Sequence, residues 1–245
     1  MNRRTSLVSG TLAGSAALAA FVVASRRRYL RWGATAAEVE MSLVGDAVLP
    51  RADLVATRAI TVQAPPERVW PWIVQMGQGR GGFYSYDALE NLVGCDMHSA
   101  DHIVEEWQSL AVGDPVRLHP DVALRVAEID PGAALVIRGG VPVGEASPFD
   151  STWAFVLRDG GDGTTRVLAR ERYAYLRRWA ALVVEPAEAV GAVMSHKMLR
   201  GIKERAERTT APPRASAASA DAGQLTGSRL EGPDVRPDGR LGGNV

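Results

Sequence analysis

The residues best placed to do chemistry lie in the run Thr165–Tyr175, which alternates as a β-strand does. One face carries Arg166, Leu168, Arg170 and Arg172; the other carries Val167, Ala169, Glu171 and Tyr173. Successive strand side chains point to opposite faces. Three arginines mark the first face as solvated, so Glu171 and the Tyr173 hydroxyl are expected inside, opposite the apolar set Trp153, Phe155 and Leu157 of a partner strand. An enclosed carboxylate is costly unless paired, and an apolar setting raises its pKa. Glu171 is therefore either a polar group of an internal cavity or the partner of a structural arginine such as Arg80 or Arg138. As a catalytic group it would be a general base.

Two other groups have suggestive spacing. Gly77, Gly79 and Gly82 match G-x-G-x-x-G, but a helix precedes them and no parallel βαβ alternation surrounds them, which the dinucleotide fingerprint requires. They read instead as a flexible entrance loop, with Phe83, Tyr84 and Tyr86 gating it. Cys95, His98, Asp101, His102 and Glu105 hold metal-ligating atoms, and His98 is a second candidate base. The companions of a zinc site or a thiol nucleophile, a second Cys pair or H-E-x-x-H, are missing. The reading is a polar loop, no metal and no cofactor.

The elements that must position these residues are grouped, not alternating. Val55–Gln63 suits a strand. Ala64-Pro65-Pro66-Glu67 opens a helix over Arg68–Met76, with Val69, Trp72, Ile73 and Met76 on one face. A short helix spans Ser85–Leu92. Strands follow at 116–119, 122–129, 134–138, 151–158 and 165–175, with tight turns at Asp130-Pro131-Gly132 and 159–164. A long helical segment, 177–208, closes the domain. Its Val190, Val193, Met194, Met198, Leu199 and Ile202 recur at helical spacing and form the expected cavity lid. Strands then helix argue α+β, with a curved antiparallel sheet wrapped around the long C-terminal helix.

"ATRAITVQAPPERVWPWIVQMGQGRGGFYSYDALENLVG" resembles the opening strand and helix of the START/Bet v1-like (SRPBCC) superfamily of polyketide cyclases/dehydrases and lipid transport proteins. "TTRVLARERYAY" and the helix after it resemble that superfamily's last strand and lid helix. "MGQGRGGFYSYDxLENLxGCDxHSAD" resembles an actinobacterial membrane-tethered subgroup. The resemblance implies a helix-grip fold over about 55–208, with a cavity for a hydrophobic small molecule. It implies lining by Trp72, Arg80, Phe83, Tyr84, Tyr86, Trp153, Phe155, Glu171, Tyr173, Val190, Met194 and Met198. It also admits cyclase or dehydratase chemistry, with Glu171 or His98 as the base and Tyr173 steadying an enolate.

The chain has 245 residues, and its 28 basic and 28 acidic residues balance. Nothing in that balance calls for nucleic acid. With one cysteine, no intrachain disulfide forms. Ser6–Ser25 carries no charge and is flanked by Arg3 and Arg4, then Arg26, Arg27, Arg28 and Arg31. About 20 helical residues match a bilayer core. Residues 1–31 are thus expected to be a single-pass anchor, with a cleaved signal peptide as the rival reading. The arginine bias favours a cytoplasmic main domain. Residues 32–54 read as a linker and 209–245, rich in Ala, Gly, Pro and Ser, as a disordered tail.

Overall fold

The computed structural model describes residues 25–142 and 146–208. The expected anchor, apart from its last residues, and the expected tail lie outside these. Among the described residues, no helix is long and apolar enough to cross a membrane.

Six strands form one antiparallel sheet: β1 (Leu54–Val62), β2 (Pro115–His119), β3 (Val122–Asp130), β4 (Ala134–Gly139), β5 (Phe149–Asp159) and β6 (Thr165–Tyr175), in the order β1-β6-β5-β4-β3-β2. Short turns join β2 through β4, so these neighbours are hairpins. β1 reaches β6 only across the length of the domain, pairing Leu54 with Tyr173 and Val62 with Thr165. Among the described residues, beside the helical residues 25–30, the α-helices are α1 (Ala36–Glu40), α2 (Pro66–Val74), α3 (Asp87–Leu92) and α4 (Ala181–Arg208). Thr35 and Glu38 cap the start of α1 reciprocally, as the T-x-x-E spacing allows. Pro66 sits at the start of α2, where a missing N–H costs nothing.

The inner face of the sheet packs on α2 and α4. Phe155, Leu135, Ile137, Val167, Met198, Leu199 and Ile202 are its fully buried centre. Gly201 lets α4 approach closely, because a Cβ there would lie 2.3 Å from the Tyr84 carbonyl oxygen.

The outer face is not solvated, contrary to the reading of its arginines. Arg170 is 2% exposed and Leu168 fully buried. The stretch read as a linker lies across this face. Arg166 bonds Glu38 and the Gly33 carbonyl. Arg170 bonds Asp46 and the carbonyls of Glu38, Val39 and Met41. Arg172 bonds Asp46 and the carbonyls of Leu49 and Pro50. Guanidinium donors can satisfy carbonyl and carboxylate acceptors away from water, so the arginines report a covered face. Gly33 permits the contact: a Cβ there would meet the Ala59 carbonyl oxygen at 2.0 Å.

Candidate functional site

Between the inner face and α4 lie two adjoining spaces of about 290 Å³ and about 250 Å³. Leu118, Trp153, Glu171 and Gly191 line both, which makes them one divided cavity. Phe149, Tyr173 and Val184 line the first; Phe83, Met194 and Met198 line the second. The walls are mostly apolar and aromatic, with a few polar groups, as in ligand sites generally.

Strand parity delivers Glu171 and Tyr173 to this wall as expected. Glu171 is 8% exposed. Its Oε1 accepts from Arg58 Nη1 at 2.6 Å and from Ser195 Oγ at 3.2 Å, and its Oε2 accepts from the Tyr173 hydroxyl at 2.8 Å. The structural-arginine alternative is thus also met, but by Arg58. Arg80 instead donates to the Val74 and Trp107 carbonyls, and Arg138 pairs with Asp150.

Arg58 is the centre of the cluster. It stands on the inner face of β1 between Ala56 and Ile60 and is fully buried. Besides Glu171 it holds Glu188 of α4 through Nη2, and its Nε donates to the Tyr29 carbonyl at 3.1 Å. Burial works against the Arg58 cation, but the charges of Glu171 and Glu188 outweigh it and raise its pKa. Burial, then the charge of Glu171, holds the Glu188 carboxyl above the ordinary carboxylate range despite Arg58. Burial and the same carboxylates push the Tyr173 phenol well above the usual tyrosine range, so it remains a donor. Two acids face one guanidinium, and the raised pKa of Glu188 favours its protonated form.

In the second space Glu90 of α3 is pushed up to about 7 by burial and by Asp87. Burial and Glu90 raise the thiol of Cys95 beside it. Glu90 Oε2 and Trp153 Nε1 are buried with no hydrogen-bond partner among the described residues.

Several expected lining residues stand elsewhere. Trp72, Tyr84 and Phe155 are core: Tyr84 donates to the Trp72 carbonyl at 2.9 Å, and Phe155 backs Trp153 at 4.9 Å. Tyr86 is 40% exposed. Val190 and Val193 point outward, at 66% and 55% exposure. Helix α4 turns Val184, Glu188, Ala192, Ser195, Met198 and Ile202 inward instead. The entrance-loop reading of 77–82 also gives way. Gly77 and Gly82 bridge each other, and Gly81 packs so tightly that a Cβ would lie 2.8 Å from the Gln75 carbonyl. His98 cannot serve the cavity: its side chain is 81% exposed and pairs with Asp96, as exposed His102 pairs with Asp101. Among the described residues, no three His, Cys, Asp or Glu side chains could hold a metal ion.

Arg58, Glu188, Ser195 and Glu90 were missed. Arg58 shares the inward parity of Leu54, Ala56, Ile60 and Val62, and an arginine there demands an acid across the core. Glu188 lies four residues from both Val184 and Ala192, the spacing that shares a helix face.

A six-stranded antiparallel sheet gripping a long C-terminal helix is a helix-grip arrangement. No protein-family model matches the sequence, and no curated protein does. Among solved structures the chain is similar to protein MLL2253 from Mesorhizobium loti (16% identity over 64% of this chain and 98% of that one, TM-score 0.40). It is also similar to a norcoclaurine synthase from Thalictrum (13%, 64% and 96%, TM-score 0.39). A third likeness is to the di-domain ARO/CYC protein BexL of the BE-7585A biosynthetic pathway (13%, 65% and 48%, TM-score 0.36), about half of whose length the chain spans. At these identities and scores the likenesses carry no argument about ligand or activity, and the topology itself defines the fold.

Proposed function

We propose that this domain binds a hydrophobic small molecule, lipid- or polyketide-like, inside the cavity, and that the uncharged segment before residue 25 holds it at a membrane. The divided cavity of about 290 and about 250 Å³, mostly apolar beside the Glu171 cluster and Glu90, carries the proposal. Burial of apolar ligand surface, at about 25 cal/mol per Å², supplies the drive. For the tether, the support is the charge-free run 6–25 between arginines and its continuation. Residues 25–30 are helical, Arg26 pairs with Glu185, and Leu30 is buried. Nearby in sequence to Glu185, Leu176, Trp179, Leu182 and Val183 are exposed beside Arg177 and Arg178, a mixture suited to a lipid headgroup region.

Gly191 provides the test. It lines both spaces, and a Cβ there would meet only Glu188 Oε2, at 3.9 Å. Gly191→Leu should fill the cavity while keeping or improving the helix. Native mass spectrometry of the chain purified from its host should show a co-purifying mass that the variant lacks. A wild-type protein that is empty and takes up no hydrophobic probe would overturn the proposal.

One observation favours a second reading, acid/base chemistry of the cyclase or dehydratase kind. Both Glu171 oxygens are occupied, so the group free to exchange a proton with a ligand is Glu188, whose pKa is raised. In that reading Glu188→Gln binds ligand and does not turn it over, measured by product analysis on the co-purified compound.

A further inference from the structure

The ionisable groups that line the cavity are acids throughout. They are Glu171, Tyr173 and Glu188 in the first space, and Glu90, Cys95 and Glu171 in the second. No Lys, Arg or His side chain lines either. Arg58, behind the wall, is already committed to Glu171, Glu188 and the Tyr29 carbonyl. Three lining carboxyls, Glu171, Glu188 and Glu90, therefore share one fixed cation.

The remaining surface fits the same partner. Trp153 stacks on Phe83 at 5.7 Å, and Phe149 meets Tyr173 edge-on at 5.7 Å. Aromatic faces attract organic cations, most strongly when desolvated. Glu90 Oε2 adds a buried acceptor with no hydrogen-bond partner among the described residues. Anionic ligands such as free fatty acids meet the wrong charge.

We infer that the cavity is a site for a hydrophobic cation, an amine or quaternary ammonium, seated against Glu188 with its apolar body over Trp153 towards Glu90. This rests on the cavity-binding reading and names its ligand class. The step is an ion exchange: the cation takes the place of the proton that the raised pKa favours on Glu188, and that proton leaves to solvent. Facing the pair are Arg58 from β1, Tyr173 from β6 and Ser195 from α4; facing Glu90 are Asp87 and Cys95. Glu188 and Glu90 have raised pKa values, so protons compete with the cation at low pH, and affinity rises as pH rises through them.

The test is calorimetry on the full chain in lipid nanodiscs, with empty nanodiscs as control. Three probes of one shape are compared: 4-phenylbutylamine, 4-phenylbutan-1-ol and 4-phenylbutyrate. The amine stays charged at both about pH 6 and about pH 8.5, since alkylammonium groups titrate near 10.4. At the higher pH the amine should bind roughly tenfold tighter than the alcohol, with the carboxylate weakest. The amine alone should weaken at the lower pH. Glu188→Gln should abolish the amine's advantage and leave the alcohol unchanged. Should that variant not fold, Glu90→Gln should reduce the same advantage and its pH slope. Alcohol and amine binding equally to the wild type would overturn the cation preference while leaving the cavity reading intact. Binding of none of the three would overturn both.

Discussion

The two faces of β6 hold their charges in opposite ways. On the outer face Arg166, Arg170 and Arg172 outnumber Glu38 and Asp46, and backbone carbonyls of residues 33–50 take up the remaining donors. On the inner face Glu171 and, across from it, Glu188 outnumber Arg58, and the raised pKa of Glu188 favours a proton there. A face closed by chain satisfies its excess with fixed dipoles. A face open to a cavity satisfies it with something that can leave. The difference marks the inner face as the one that exchanges a partner.

The largest expected effect comes from Arg58→Met, which leaves two carboxylates buried without a cation. It should cost about 3–5 kcal/mol in denaturant unfolding, and Arg58→Lys should recover only part, because an ammonium cannot span both acids and the Tyr29 carbonyl in one fork. Arg170→Ala should cost about 2–4 kcal/mol. Its mark is spatial: amide exchange should quicken over residues 36–50 with ligand binding little changed. If instead binding is lost and exchange stays slow, the two faces are not separable as described.

The smallest effect is a slope in pH. Glu188 and Glu90 have folded pKa values above their unfolded ones. Each therefore contributes stability that is present below the ordinary carboxylate range and lost as pH rises through its folded value, about 7 for Glu90. The melting temperature of ligand-free protein should fall by about 3–8 °C between about pH 5 and about pH 9. Glu188→Gln should flatten much of that fall. A melting temperature that rises over this interval would mean the carboxyls are ionised throughout.

Most of the sheet was legible because period-two alternation records burial directly. It placed Glu171 and Tyr173 inward and Arg166, Arg170 and Arg172 outward, and the six strands stand where the pattern set them. The reading failed where it equated charge with water. Arg58 and Glu188 both lie on inward registers of their elements, yet charged types are rarely buried unless paired, and the pairing joins residues 130 apart. The same equation sent Val190 and Val193 inward and made the arginine face look bare. Glycines 77, 79 and 82 looked mobile from type alone. Their positive φ angles and the close neighbours of Gly81 and Gly82 are those of a tight turn, which depends on the Gln75 and Ser99 backbones and is not written in the six residues themselves.

The strap formed by residues 33–50 carries a consequence for how this chain tolerates change. Its anchoring arginines mostly grip carbonyl oxygens, a feature every residue type shares. Its exposed side chains can therefore drift more freely than Gly33, Thr35, Glu38, Met41, Leu43, Gly45, Asp46 and Leu49, which cap, pack or pair, whereas a single inserted or deleted residue would put every grip out of step. Length, more than spelling, is what this segment has to preserve.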